Sequence, residues 1–260
     1  MDVRAPLRSL IFFPSPGPVA SATRVLPGGQ DVTLRTEDGL DLGAWLFPPM
    51  PSPPGRPDRD QVVLFAPGNG GHREGRAPLF VALAERGFTV LAMDYRGYGG
   101  NPGSPSQDGL AADARAAADF LTLAGWRPDQ MIYLGESMGT AVVSQLATTR
   151  PPAAVALRSP FTCLADVAKR LYPWLPVDLL LPDRFPEIDY LRGLDVPVSV
   201  IRGTADSIVP NALSAQVAAA VPQLHEDLEL PGVEHNDEVM IGPVVADVVL
   251  RLADRARGSR

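Results

Sequence analysis

Gly135-Glu136-Ser137-Met138-Gly139 is the stretch on which the reading of this chain turns. The apolar run Met131-Ile132-Tyr133-Leu134 feeds straight into it and a helix-like segment follows, so it reads as strand, sharp turn and helix with serine at the apex. A serine placed there adopts a strained backbone and holds its hydroxyl clear of the sheet, while glycines two positions to either side let strand and helix pass closely. By composition alone a Gly-x-Ser-x-Gly window arises about 0.1 times in a chain of this length. The motif therefore needs context, and the flanking strand and helix supply the first part of it.

Working outward, the same alternation recurs. Val62–Ala66 is an uninterrupted apolar run ending in Pro67-Gly68-Asn69-Gly70-Gly71, followed by a helix-compatible stretch from Pro78 to Arg86. Phe88–Asp94 leads into a glycine-rich loop and a helix from about Ser106 to Ala124. Ala153–Leu157, Val198–Arg202 and about Glu226–Leu230 are further strands, with helices expected at Asn211–Val221 and Val239–Ala256. Continuous apolar strands are buried on both faces, and strands alternating with helices build a mostly parallel sheet covered on both sides. Before them, Val32–Arg35 and Leu40–Phe47 flank the turn signal Glu37-Asp38-Gly39 and read as an antiparallel hairpin. Pro48–Asp60 reads as a loop, and the Pro- and Gly-rich first 30 residues as a surface segment anchored by Ile11-Phe12-Phe13. The expectation is one α/β domain over residues 1–260. The single interruption, about 160–192, carries Leu171, Trp174, Leu175, Val177 and Leu179–Leu181 and reads as a small apolar cap over the site.

The 260 residues are 45% hydrophobic, enough for a large core, and the formal charge of −7 with no basic, aromatic-interleaved cluster excludes nucleic acid as the expected partner. Cys163 is the only cysteine, so no intrachain disulfide forms. The run Leu10–Phe13 is shorter than the roughly 7 to 15 residues of a signal-peptide core. No segment approaches the roughly 20 apolar residues of a membrane span. A soluble, cytoplasmic protein is the expectation.

A serine hydroxyl needs a neighbouring base, usually histidine, which a carboxylate orients. Of three histidines, His72 comes too early for the order Ser, acid, His, and His225 sits at the head of a strand. His235, in the loop before the last helix, is the candidate base. Asp206 follows a strand directly, at the sheet edge where ligand sites of open parallel sheets lie, and is the candidate acid. Asp183 and Asp189 in the insertion are rival acids that read as solvated surface charges. The oxyanion donors are expected to be the backbone N–H groups of Met138 and of Asn69, in the glycine loop. That loop lacks the Lys-Ser/Thr of a phosphate-binding P-loop. Cys163 reads as a small buried hydrophobe and Arg96 as structural.

The set Pro67–Gly71, Asp94-Tyr95-Arg96-Gly97-Tyr98-Gly99, Gly135–Gly139, Gly203-Thr204-Ala205-Asp206 and His235-Asn236-Asp237 resembles that of the α/β-hydrolase superfamily. Its nearest likeness is to the small alpha/beta-hydrolase-domain serine hydrolases, a branch of esterases, thioesterases and serine aminopeptidase-like relatives. The resemblance implies the fold, an acyl-enzyme on Ser137 with Asp206 and His235 as partners, and no cofactor. One departure is that the oxyanion loop opens with Pro67-Gly68 where the family usually has His-Gly. The expected activity is hydrolysis of a small-molecule ester, thioester or other acylated substrate with a small to medium hydrophobic acyl group. Two alternatives stand beside it: a serine aminopeptidase, for which Glu136, Asp183, Glu187 and Asp189 are candidate amine-binding acids, and a non-catalytic binding protein on the same fold. A dehalogenase would need a carboxylate in place of Ser137.

Overall fold

The computed structural model describes residues 8, 11–51, 59–171, 174, 177 and 181–258. Among these, strands β1 (Gln30–Arg35), β2 (Asp41–Phe47), β3 (Val62–Ala66), β4 (Thr89–Met93), β5 (Met131–Glu136), β6 (Ala154–Arg158), β7 (Val198–Gly203) and β8 (Leu224–Leu230) form one sheet in the order 1-2-4-3-5-6-7-8. β1 and β2 pair antiparallel with each other and β2 with β4, whereas every later pairing is parallel.

The apolar runs become central strands because both faces are covered. Val62, Leu64 and Ala66 of β3 join the core on one face, Val63 and Phe65 the core on the other. On the first face lie α2 (Gln107–Leu123), α3 (Met138–Thr149) and α6 (Asn211–Ala220); on the second, α1 (Ala77–Glu85) and α7 (Pro243–Gly258). Ser106 caps α2, its hydroxyl accepting the Gly109 N–H. The last helix begins later than its periodicity predicts: Glu238–Ile241 is a separate 3₁₀ turn, Gly242 breaks it, and Pro243 starts α7, a position where its missing N–H costs nothing.

The insertion contributes α4 (Leu164–Leu171) and α5 (Glu187–Leu191). None of its described residues is among those lining the cavity that holds Ser137 and His235. α5 packs beside α3 and α6, and Phe185 meets Phe12 edge to face at 6.3 Å. Trp174 is exposed, Val177 is buried, and Leu181 packs on the core; Leu175, Leu179 and Leu180, with Leu10 and much of the Pro48–Asp60 loop, lie outside the described residues. Nor is Asp183 a surface charge. It is buried, accepting Arg8 Nε at 2.9 Å and the Gln107 N–H at 2.9 Å, while Gln107 Oε1 accepts the Arg184 and Phe185 N–H groups. Asp189 is exposed and pairs with Arg192.

Candidate active site

Ser137 stands between β5 and α3 with φ 51° and ψ −120°, a left-handed conformation that L residues avoid unless the surroundings impose it. The surroundings here are backbone. A Cβ on Gly135 would come within 2.6 Å of Thr140 Cα, and one on Gly139 would strike the Ala66 and Pro67 carbonyls, so only glycine permits the crossing of strand and helix that raises the serine. The Ser137 N–H donates to the Arg158 carbonyl at 2.8 Å, carrying the β5–β6 ladder up to the apex.

Asp206 emerges after β7 and is held by three donors. Its Oδ1 accepts the N–H groups of Ile208 and Val209 at 3.0 and 2.7 Å, and its Oδ2 lies 2.7 Å from His235 Nδ1. Burial raises the Asp206 pKa, but the His235 contact and the backbone N–H of Val209 outweigh it and leave the carboxyl below its ordinary value. A carboxylate facing Nδ1 selects the tautomer with its proton there and leaves Nε2 with a lone pair. The imidazole is buried and its loop is anchored from below, because Arg158 Nη1 donates to the His235 carbonyl at 2.6 Å.

Ser137 and His235 line a common cavity of about 500 Å³ at the C-terminal edge of the parallel strands. Asn69 lines it too. A Cβ on its neighbour Gly68 would sit 3.3 Å from that of Ser137, which fixes how near this loop comes to the nucleophile. Met138 opens α3, directly after the apex. Of the other sequence candidates, His225 is exposed on the edge strand β8 and His72 precedes the 3₁₀ turn Arg73–Arg76; neither lines the cavity. Arg96 is buried against Asp113 and bridges to Asp38, a structural role. Cys163 is half-buried where full burial is expected, and that burial pushes its thiol pKa up.

Several residues of the site escape the sequence reading. Phe13, 59% exposed, lines the cavity with Ile208, 41% exposed, and with Ile241, so three large apolar side chains stand among its polar lining. Phe13 is brought there by Asn69, whose Oδ1 accepts the Phe13 N–H at 3.1 Å and the Tyr98 hydroxyl at 2.8 Å while its Nδ2 donates to the Ile11 carbonyl. Next to Ser137 in the chain, Glu136 is 1% exposed and sits between two guanidinium groups: Arg76 Nη2 at 2.5 Å and Arg158 Nη2 at 3.0 Å. Burial opposes its ionisation, but Arg158 and Arg76 together hold its pKa down to about 2. A charged residue ending the apolar run of β6 is the one signal in the sequence that points to Arg158. Arg76, in a glycine-flanked loop, carries none.

Among the described residues there is no cluster of side chains able to hold a metal ion, and no helix is long and apolar enough to cross a membrane.

An open, mostly parallel sheet with a strained serine at one strand's end and a carboxylate-bound histidine beside the same cavity is the arrangement of an α/β-hydrolase, and the chain belongs to that superfamily. The family matched over residues 57–185 is the serine aminopeptidase family S33. Rv2307c of Mycobacterium tuberculosis, an uncharacterized protein, is 49% identical over 246 residues, spanning 94% of this chain and 86% of the relative. In fold, the chain is similar to the Pyrococcus furiosus esterase Pf2001, with a TM-score of 0.72 at 19% identity over 94% of this chain and 98% of that one. It is similar also to Est1E of Butyrivibrio proteoclasticus, solved with ferulic acid bound, with a TM-score of 0.71 at 18% identity over 87% and 99%.

Proposed function

We propose that this protein is a serine hydrolase that cleaves carboxylic esters or thioesters carrying a small to medium hydrophobic acyl group. The reading rests on one observation: Ser137, at a left-handed apex, shares a cavity with His235, whose Nδ1 is bonded to Asp206. His235 Nε2 takes the Ser137 proton as the hydroxyl oxygen attacks the acyl carbon, and Asp206 stabilises the resulting imidazolium. The carbonyl oxygen, now an anion, is received by the backbone N–H groups of Met138 and Asn69; such donors lower the barrier by about 2.7 to 4 kcal/mol each. Collapse expels the alcohol or thiol, protonated by His235, and leaves an acyl-enzyme on Ser137 that water resolves by the same steps. Phe13, Ile208 and Ile241 give the acyl group an apolar wall.

The family name favours a second reading, an aminopeptidase, which needs a free carboxylate to receive a substrate ammonium. The acid that lines the cavity, Glu136, is already neutralised by Arg76 and Arg158. That pairing favours esters. Hydrolysis of nitrophenyl esters of graded chain length by wild type and Ser137→Ala tests the proposal. The wild type is expected to be active with a preference for short to medium acyl chains, and equal rates for the two proteins would overturn it. Faster release of aminoacyl fluorophores than of esters would transfer the reading to the peptidase.

A further inference from the structure

Glu187 is a titratable group, fully buried, that the proposed chemistry does not use. It lies in α5, and its Oε2 is 2.8 Å from Thr140 Oγ1 and 3.2 Å from the Phe161 N–H, while its Oε1 is buried without a hydrogen-bond partner among the described residues. Thr140 Oγ1 is also 2.5 Å from the Ser137 carbonyl oxygen.

The hydroxyl of Thr140 has one proton and two oxygen neighbours. A carbonyl only accepts, and at 2.5 Å two facing lone pairs repel, so the proton belongs between Thr140 and Ser137. Thr140 then presents a lone pair to Glu187, and the contact at 2.8 Å is a hydrogen bond only if Oε2 carries a proton of its own. The unpartnered Oε1 agrees, since an ionised carboxylate would leave part of its charge on a buried, unbonded oxygen. No counter-charge is at hand. The two helices packed on α5, α3 and α6, contain no charged residue, and on α5 itself Asp189 is exposed and engaged with Arg192. Burial accordingly pushes the Glu187 pKa up to about 8.

The bond matters because of where it ends. The Ser137 carbonyl and the Met138 N–H belong to one planar peptide unit, so whatever fixes the oxygen at one end orients the N–H at the other. We infer that Glu187 is a positioning residue that works as a neutral acid: through Thr140 it clamps the Ser137–Met138 peptide and so aims the Met138 N–H at the substrate oxyanion. Loss of its proton turns the Thr140 hydroxyl toward the carboxylate and loosens the clamp, leaving the Ser137 carbonyl the Thr140 N–H at 2.8 Å. The inference rests on the reading of Ser137 as nucleophile and adds to it a second element, the insertion, that sets the donor's direction.

The test follows kcat and KM for a nitrophenyl ester from pH 6 to 10 in wild type, Glu187→Gln, Thr140→Val and Thr140→Ser. Alongside it runs infrared difference spectroscopy of the substrate-free protein, wild type against Glu187→Gln, which reads the protonated carboxyl band directly. Wild type and Thr140→Ser are expected to lose about tenfold in kcat above pH ~8 at constant KM, a loss on the scale of one hydrogen bond in the transition state. Glu187→Gln, whose amide N–H donates to Thr140 at every pH, is expected to stay near the upper plateau with no alkaline fall, and Thr140→Val, lacking the hydroxyl, to sit near the lower plateau with none. The carboxyl band is expected at pH 7, vanishing with the same midpoint as kcat. An alkaline fall that persists in Glu187→Gln, or no such band at pH 7, overturns the inference. The infrared result needs only the wild type and the one variant, and its midpoint stands whether or not Thr140→Val folds. Absence of any Ser137-dependent hydrolysis would instead strike the reading beneath it.

Discussion

Glu136 and Glu187 are equally hidden, at 1% and 0% exposure, yet one is held ionised down to a pKa of about 2 and the other neutral up to about 8. Both are connected to Ser137, Glu136 as its chain neighbour and Glu187 through Thr140. Depth is therefore not what sets the charge. Glu136 has two guanidinium groups within 3.0 Å, whereas Glu187 has a hydroxyl, a peptide N–H and helices devoid of charge. Desolvation costs an isolated carboxylate several kcal/mol, and opposite charge or several hydrogen bonds to the charged form are needed to return it. The surroundings of Glu136 are thus ionic and those of Glu187 neutral.

Asp206, another buried carboxylate, extends the comparison, since its net shift is downward with His235, the Val209 N–H and the Ser159 hydroxyl as the groups that lower it. Asp206→Asn keeps the shape but supports the wrong imidazole tautomer, and kcat is expected to fall by about 10⁴ with KM little changed. A fall under tenfold would remove Asp206 from the chemistry. For Glu187 the expected effect is on stability. Its folded pKa, about 8, lies above the ordinary carboxylate value of 4.5. Its contribution is therefore whole below pH 4.5 and is lost as pH rises toward 8. At ~1.4 kcal/mol per pKa unit the loss amounts to roughly 3 to 5 kcal/mol. Urea unfolding of wild type and Glu187→Gln at pH 5 and pH 8 is expected to show the variant gaining on the wild type by that amount. A constant difference would mean that Glu187 is not neutral. Arg158→Met, which leaves Glu136 with Arg76 alone and the His235 carbonyl without its donor, is expected to cost about 3 kcal/mol in the same assay at pH 7. A neutral result would place Glu136 with Glu187 rather than opposite it.

The strand runs were legible because burial on two faces writes continuous apolar sequence, as in Val62–Ala66, and because Gly135 and Gly139 stand where a Cβ has no room. Asp206 and His235 were placed by their position after β7 and β8, where their side chains do meet. What the sequence hid came from non-local partners. Asp183 and Glu187 look like solvated acids in a proline-rich insertion, and are buried because Arg8, Gln107, Thr140 and Phe161 arrive from elsewhere in the chain. Phe13 belongs to an irregular segment with no periodicity to read, and reaches the cavity only through Asn69. Of the insertion, expected above the site, no described residue lines the cavity, and Glu187 meets Thr140 instead.

The grip of Asn69 on Ile11 and Phe13 means that one rim of the cavity is built from residues that precede the first strand and take no part in the sheet. The Phe13 side chain is exposed, so it can be exchanged without disturbing the framework that holds Ser137, Asp206 and His235. A change at Phe13 then reshapes the cavity mouth without touching the sheet. Its neighbours are not so free: Ile11, Phe12, Ala22 and Leu26 of the same stretch are buried in the two cores, so trimming it would cost packing as well as a wall of the cavity.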